Sequence, residues 1–378
     1  MATLRWVGFA LACLTASSAA GGAGCAAPDP FVAADLGAGA PGDLATAPGG
    51  DLSSAVAPDL SPLAQPDLAR GAAPARIVAG YYESWSEPWM ADGAKSPMAR
   101  MAEYVNVIIL SFARPDATYA GGDAIAGTGL QFPWDGATLR QAVTALRANR
   151  PATKLLVAVG GATYTNWQAL DAAALARFVT DYKLDGVDVD FEPANPACAA
   201  RGGVVSCASD AQLVAAVDAL RKALPRPALL SIAAWSTGAY GEGSWANGAP
   251  QGDYSGLLLN LLKSPSAASL DWLNVMSYDA SNAYDPVQAL AAYQNYFKGP
   301  VVMGVEVPPE AWGGHVYSLG AVDAVAAAVV QKSAGGMMIW SLQKQPNGPV
   351  SAANPSATLM AQEICGKLSL GNCAAPLW

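Results

Sequence analysis

The chain is nearly devoid of histidine: one, His315, stands in 378 residues. That excludes His-rich zinc sites, paired-imidazole proton relays and a Ser-His-Asp triad with histidine to spare. Acid–base work is left to carboxylates and tyrosines. Positive charge is scarce too. Lysine and arginine number 21 against 30 acids, for a net charge of −9. Phosphate binding needs a basic face, so nucleic acid is excluded as a partner. The N-terminal apolar run, 6–16, is eleven residues long, where about 20 are needed to cross a bilayer. Preceded by Arg5 and followed by small residues, it reads as an export signal over 1–25.

That signal ends Ala23-Gly24-Cys25, which is similar to the end of a bacterial lipoprotein signal and makes Cys25 the candidate for lipidation and membrane attachment. Gly22 stands where a large aliphatic residue is expected, so simple secretion with cleavage nearby stays open. Either way the product is exported: secreted, or a cell-surface lipoprotein. Of six cysteines, four form two short-range couples, Cys198 with Cys207 and Cys365 with Cys373. Local couples in an exported chain are expected to be disulfides.

From 26 to 74 the chain is built of Ala, Pro, Gly, Asp and Leu. An Asp-Leu pair recurs every eight residues from Asp35 to Asp67. One leucine per eight residues cannot bury a core and the prolines oppose helix, so this is expected to be an extended, disordered tether. Globular sequence begins near Ala75. Composition there permits a large core, the whole chain being 52% hydrophobic and 13% charged.

Eight short apolar runs follow, at 77–82, 105–112, 154–160, 184–191, 228–235, 272–278, 301–306 and 336–341. Stretches of 3.6-residue periodicity lie between and after them, at 94–103, 137–148, 167–182, 211–224, 254–263, 287–297, 321–331 and 357–364. Eight strand–helix units predict an α/β chain of the (β/α)8, or TIM-barrel, class occupying 75–378, with its chemistry at the C-terminal ends of the strands. Only 29 residues, 307–335, separate the last two strands, too few for a clear α+β insertion.

The fourth apolar run carries the densest polar signal. It reads Leu-Asp-Gly-Val-Asp-Val-Asp-Phe-Glu-Pro from Leu184 to Pro193. A strand alternates faces with period two, so Asp188, Asp190 and Glu192 share one side and Val187, Val189 and Phe191 the other. Three adjacent acids on a buried face repel one another, and at least one pKa is expected to rise. Read from the residues alone, the run is a catalytic site, a structural carboxylate cluster or a divalent-metal site.

The spacing D-x-x-D-x-D-x-E resembles the signature of the family 18 glycoside hydrolases, the chitinase family. The resemblance extends over about 75–366. The first strand ends Gly80-Tyr81-Tyr82, and the third ends Ala158-Val159-Gly160-Gly161, where Ala158 stands for the usual serine. Met276-Ser277-Tyr278-Asp279 matches M-x-Y-D, and Trp340 takes the place of the tryptophan under the −1 sugar. The acid often found five residues beyond that tryptophan is Gln345 here.

The resemblance implies Glu192 as general acid and Asp190 as the residue that orients and stabilises the substrate's acetamido group. Asp188 would share a proton with Asp190. Tyr278 would hydrogen-bond the acetamido carbonyl, Asp279 and Met276 would contact sugar, and Asp185, Gly160 and Gly161 would be structural. Tyr82, Phe112, Trp235 and Glu306 end strands and are candidate cleft residues; Trp312 and His315 follow on a loop. The implied substrate is chitin or its N-acetylglucosamine oligomers. Nothing in the sequence suggests a metal or organic cofactor, and a monomer is expected. The same carboxylate run serves endo-β-N-acetylglucosaminidases acting on N-glycans, and sugar-binding barrels that usually lack the acid.

Overall fold

A computed structural model describes residues 73–311 and 316–378. The export signal, Cys25, the tether up to residue 72, Trp312 and His315 lie outside them. In chain order the strands are β1 (Ile77–Glu83), β2 (Val107–Ala113), β3 (Lys154–Gly160) and β4 (Gly186–Asp190), then a hairpin of β5 (Ala199–Arg201) and β6 (Val204–Ser206), then β7 (Leu229–Trp235), β8 (Trp272–Met276), β9 (Val301–Glu306) and β10 (Gly336–Trp340). All but the hairpin close into a parallel barrel, with β1 joining β2 on one side and β10 on the other. The (β/α)8 class expected from the sequence is therefore the fold.

Helices α1 (Gly136–Asn149), α2 (Ala172–Asp181), α3 (Asp210–Ala223), α4 (Leu259–Lys263), α5 (Pro286–Tyr296), α6 (Leu319–Gln331) and α7 (Ala357–Lys367) follow strands in turn. Covered by helices outside and filled within, the strands are buried on both faces, which is why β1 and β3 read as continuous apolar runs. Most helices start at a side chain that accepts an otherwise orphaned N–H: Asp135, Asp171, Asp285, Ser318 and Ser356 serve α1, α2, α5, α6 and α7.

Three sequence expectations change. No α-helix forms at 94–103; two 3-10 turns, Gly93–Lys95 and Met98–Arg100, take its place, and a third, Ser84–Ser86, precedes them. Pro88 and Pro97 remove donors there, and a Cβ on Gly93 would fall 2.0 Å from the Thr138 carbonyl oxygen, so the segment lies flat on α1. The helix expected over 167–182 is split, because Asp171 caps a new start after a 3-10 turn at Trp167–Ala169. That expected over 254–263 shortens to α4.

The hairpin was not anticipated. Gly202 and Gly203, at φ +60° and +81°, make the two left-handed turn positions between its strands. The Cys198–Cys207 disulfide closes its base, and Cys365–Cys373 pins the end of α7. Between β9 and β10 the described residues hold α6 and no further strand.

Candidate active site

The carboxylate run ends β4 with the predicted parity. Asp188 is fully buried within the barrel. Its Oδ1 accepts from the Ser231 hydroxyl at 2.5 Å and the Asn274 amide at 3.0 Å, and its Oδ2 from the Tyr81 hydroxyl at 2.7 Å. Burial raises its pKa, while these three hydrogen bonds to the charged form pull it down.

Asp190 comes next along the strand. Burial first, then the charges of Glu192 and Asp188, push its pKa well above the usual carboxylate value. Its backbone is fixed by the glycine pair. The Gly161 N–H donates to the Asp190 carbonyl at 2.8 Å, and a Cβ on Gly160 would come within 2.1 Å of that oxygen. Both glycines have positive φ, so the third strand turns away tightly beneath the site.

Glu192 lies two residues past β4, partly buried at the cleft. Its pKa is raised to about 7, chiefly by burial and further by the Asp279 charge, against hydrogen bonds from Asp190 and the Ala162 backbone. Asp190 and Glu192 are electrostatic neighbours, and the charge of Glu192 helps to raise Asp190. Asp188, for which proton sharing with Asp190 was expected, accepts from three donors, and its charge helps to raise Asp190.

Above these acids opens a cleft of about 320 Å³. Asp190, Glu192, Met276, Tyr278, Asp279, Phe112, Trp235 and Trp340 all line it, as expected from the sequence. Phe112 stacks with Trp340 at 5.7 Å between ring centroids and with Trp85 at 5.9 Å, and Tyr81 meets Trp340 edge-on at 5.6 Å. On another wall Trp235 stacks on Tyr254 at 4.0 Å, and the Tyr254 hydroxyl donates to the Pro193 carbonyl, just past Glu192. The wall is thereby tied to the acid. Asp279, at φ +52°, donates its backbone N–H to Glu310. Burial and surrounding carboxylates raise the Tyr278 pKa well above its usual value, so this phenol stays protonated.

Two expected cleft residues are not in the cleft. Tyr82 is fully buried on the opposite face of β1 and its hydroxyl accepts the Met98 N–H at 3.1 Å. Its neighbour Tyr81 has the inward parity instead. Glu306 is fully buried and bonded to the Lys344 ammonium rather than lining the cleft. Desolvation raises its pKa to about 8, against the Lys344 hydrogen bond. Asp185 is structural: it accepts from Arg147 at 2.5 Å and from the Leu155 N–H at 2.7 Å at the opposite end of β4.

Tyr81, Ser231, Asn274, Trp85 and Tyr254 were missed as site residues. Period-two alternation from Asp188 could not reach the first four, since each belongs to a different strand or loop and the shared layer depends on inter-strand register.

The family model described as glycosyl hydrolases family 18 matches residues 77–299, and the chain belongs to that family. It is 30% identical over 129 residues to a chitinase of Plasmodium falciparum, covering 31% of this chain and 32% of that protein. Over 216 residues it is 26% identical to chitinase A1 of Niallia circulans, covering 50% of this chain and 28% of that protein. The chain thus spans about a third of the length of these curated relatives or less. Human YKL-39, described as a pseudo-chitinase with retained chitooligosaccharide binding properties, matches with a TM-score of 0.55 at 13% identity, over 78% of this chain and 100% of that one. That likeness is one of fold.

Proposed function

We propose that the protein is a chitinase that hydrolyses β-1,4 bonds between N-acetylglucosamine units by a retaining, substrate-assisted mechanism. The observation that carries the reading is that Asp190 and Glu192, both raised by burial, line one aromatic cleft with Tyr278 and Trp340. A carboxyl with its pKa near 7 keeps a proton to give at neutral pH, as a general acid requires.

Glu192 donates its proton to the glycosidic oxygen as the C1–O bond breaks. The substrate's acetamido oxygen bonds to C1 on the opposite face, giving an oxazolinium ion. Asp190 holds the acetamido N–H and stabilises the positive charge on that nitrogen, while the Tyr278 hydroxyl donates to the carbonyl oxygen. Water then attacks C1, Glu192 takes the water's proton, and the C1–oxygen bond of the ring opens to restore the acetamido group. Two inversions give net retention. Trp340, flanked by Phe112 and Tyr81, offers the sugar a flat apolar face.

The export signal and tether extend the proposal to location: a catalytic barrel released from the cell, or held at its surface through a lipid on Cys25.

The test is hydrolysis of N-acetylglucosamine oligomers by the full chain beside Glu192→Gln, with new reducing ends read by NMR before mutarotation. Release of the β-anomer, lost in the variant, is expected. Binding without cleavage by both proteins would instead establish a sugar-binding barrel, and release of N-glycans with no action on chitin oligomers would make it an endo-β-N-acetylglucosaminidase.

A further inference from the structure

We propose that Glu310 and Tyr317 are positioning residues that hold the backbone on either side of Tyr278, and so aim its hydroxyl at the substrate's acetamido carbonyl. The inference rests on the reading of Tyr278 as that donor.

Tyr278 lines the cleft two residues past the end of β8, beyond the barrel ladder. The turn it belongs to is a strained one. Asp279 and Ser281 take left-handed φ values of +52° and +74°, where a side chain crowds the backbone. Such a turn keeps its shape only where its surroundings fix it.

The surroundings here are β9 and its connection to α6. On one side of Tyr278, the Tyr317 hydroxyl donates to the Ser277 carbonyl and lies 3.2 Å from the Ser277 hydroxyl; both residues are fully buried. On the other side the Asp279 N–H donates to Glu310 Oε2 at 2.8 Å, and Glu310 is itself buried. The ring between them is seated on β9, where a Cβ on Gly304 would come within 3.0 Å of Tyr278 Cε1. The backbone before the phenol, the backbone after it and the ring are all held by one stretch of chain.

That stretch is anchored at both ends. Lys344 Nζ donates to the Pro309 carbonyl at 2.6 Å and bonds Glu306, so the residue before Glu310 is tied to the end of β9 and to the loop after β10. Tyr317 directly precedes Ser318, whose side chain caps α6. Neither Glu310 nor Tyr317 lines the cleft, so their effect reaches the sugar through the turn they hold. A hydroxyl displaced by about 1 Å is enough to lose the alignment of the acetamido oxygen with C1.

The experiment compares Tyr317→Phe, Glu310→Leu and Glu310→Gln in the full chain on N-acetylglucosamine oligomers. Tyr317→Phe and Glu310→Leu are expected to lower kcat by roughly tenfold to a hundredfold. KM should stay nearly unchanged, since the stacking faces remain. Glu310→Gln keeps an acceptor for the Asp279 N–H and is expected to restore most of the rate. Adding Tyr317→Phe to Tyr278→Phe should cost less than about twofold more, because the hydroxyl being aimed is already gone. The 13Cζ resonance of Tyr278, identified by its loss in Tyr278→Phe, is expected to move or broaden in Tyr317→Phe and Glu310→Leu and to hold its place in Glu310→Gln.

An equal loss from Tyr317→Phe with and without the Tyr278 hydroxyl, a Glu310→Gln as slow as Glu310→Leu, or a Tyr278 resonance unmoved by Tyr317→Phe overturns the proposal. Should Glu310→Leu not fold, Tyr317→Phe, which removes a single oxygen, decides by rate and resonance alone. A wild type that cleaves no chitin oligomer sinks the proposed function, whereas the Tyr278 resonance still judges whether these two residues hold the phenol.

Discussion

The Tyr81 hydroxyl donates to Asp188 Oδ2 at 2.7 Å, joining residues 107 apart in sequence inside a fully buried layer. The acid cannot turn to water if that donor is lost. Tyr81→Phe is therefore expected to lower stability by about 2 kcal/mol, since a buried charged acceptor is left a partner short. Urea unfolding monitored by tryptophan fluorescence checks this.

Glu192 links activity to stability through its proton. In the fold its pKa is raised from 4.5 to about 7, so the folded state holds the proton more tightly than the unfolded chain does. Stability falls as pH rises from the unfolded value toward the folded one, and levels off above it. Glu192→Gln removes that penalty. Its melting temperature should match the wild type near pH 4.5 and exceed it by a margin that grows until about pH 7. A constant margin across that range would contradict the raised pKa.

The alkaline limb of activity should follow the same group. Rate is expected to fall as pH passes about 7, where Glu192 loses the proton it must donate. The Asp279 charge contributes to holding that proton. Asp279→Asn should therefore shift the alkaline limb of kcat to lower pH, which a rate profile at saturating substrate measures directly.

Adjacent tyrosines and facing tryptophans separate cleft from core. Trp340→Ala is expected to cut kcat/KM on chitin oligomers by about tenfold or more through loss of the stacking face. Tyr82→Phe should leave kcat and KM unchanged while lowering stability by about 1 kcal/mol, because only the Met98 N–H loses its acceptor. Steady-state kinetics and thermal melts on the two variants suffice.

Local periodicity made much of this legible. The eight barrel strands follow from short apolar runs, and the shared face of Asp188, Asp190 and Glu192 from alternation, neither of which needs knowledge of neighbours. The ends of β4 and β8 were read too long, because Asp185 replaces a ladder contact with its side chain and Tyr278 already belongs to the loop. The turns within 94–103 were expected to be helix because packing on α1 is not a local property.

By itself, then, the sequence determined the class of barrel, the two disulfide couples, and a carboxylate ladder at the end of its fourth strand. Only the tertiary structure decided which groups surround that ladder. It turned Tyr81 rather than Tyr82 inward, drew Glu306 away to Lys344, and set Ser231 and Asn274 against Asp188. The reason is register: alternation along one strand fixes relative faces, but which residues of different strands share a layer depends on how the closed sheet is staggered.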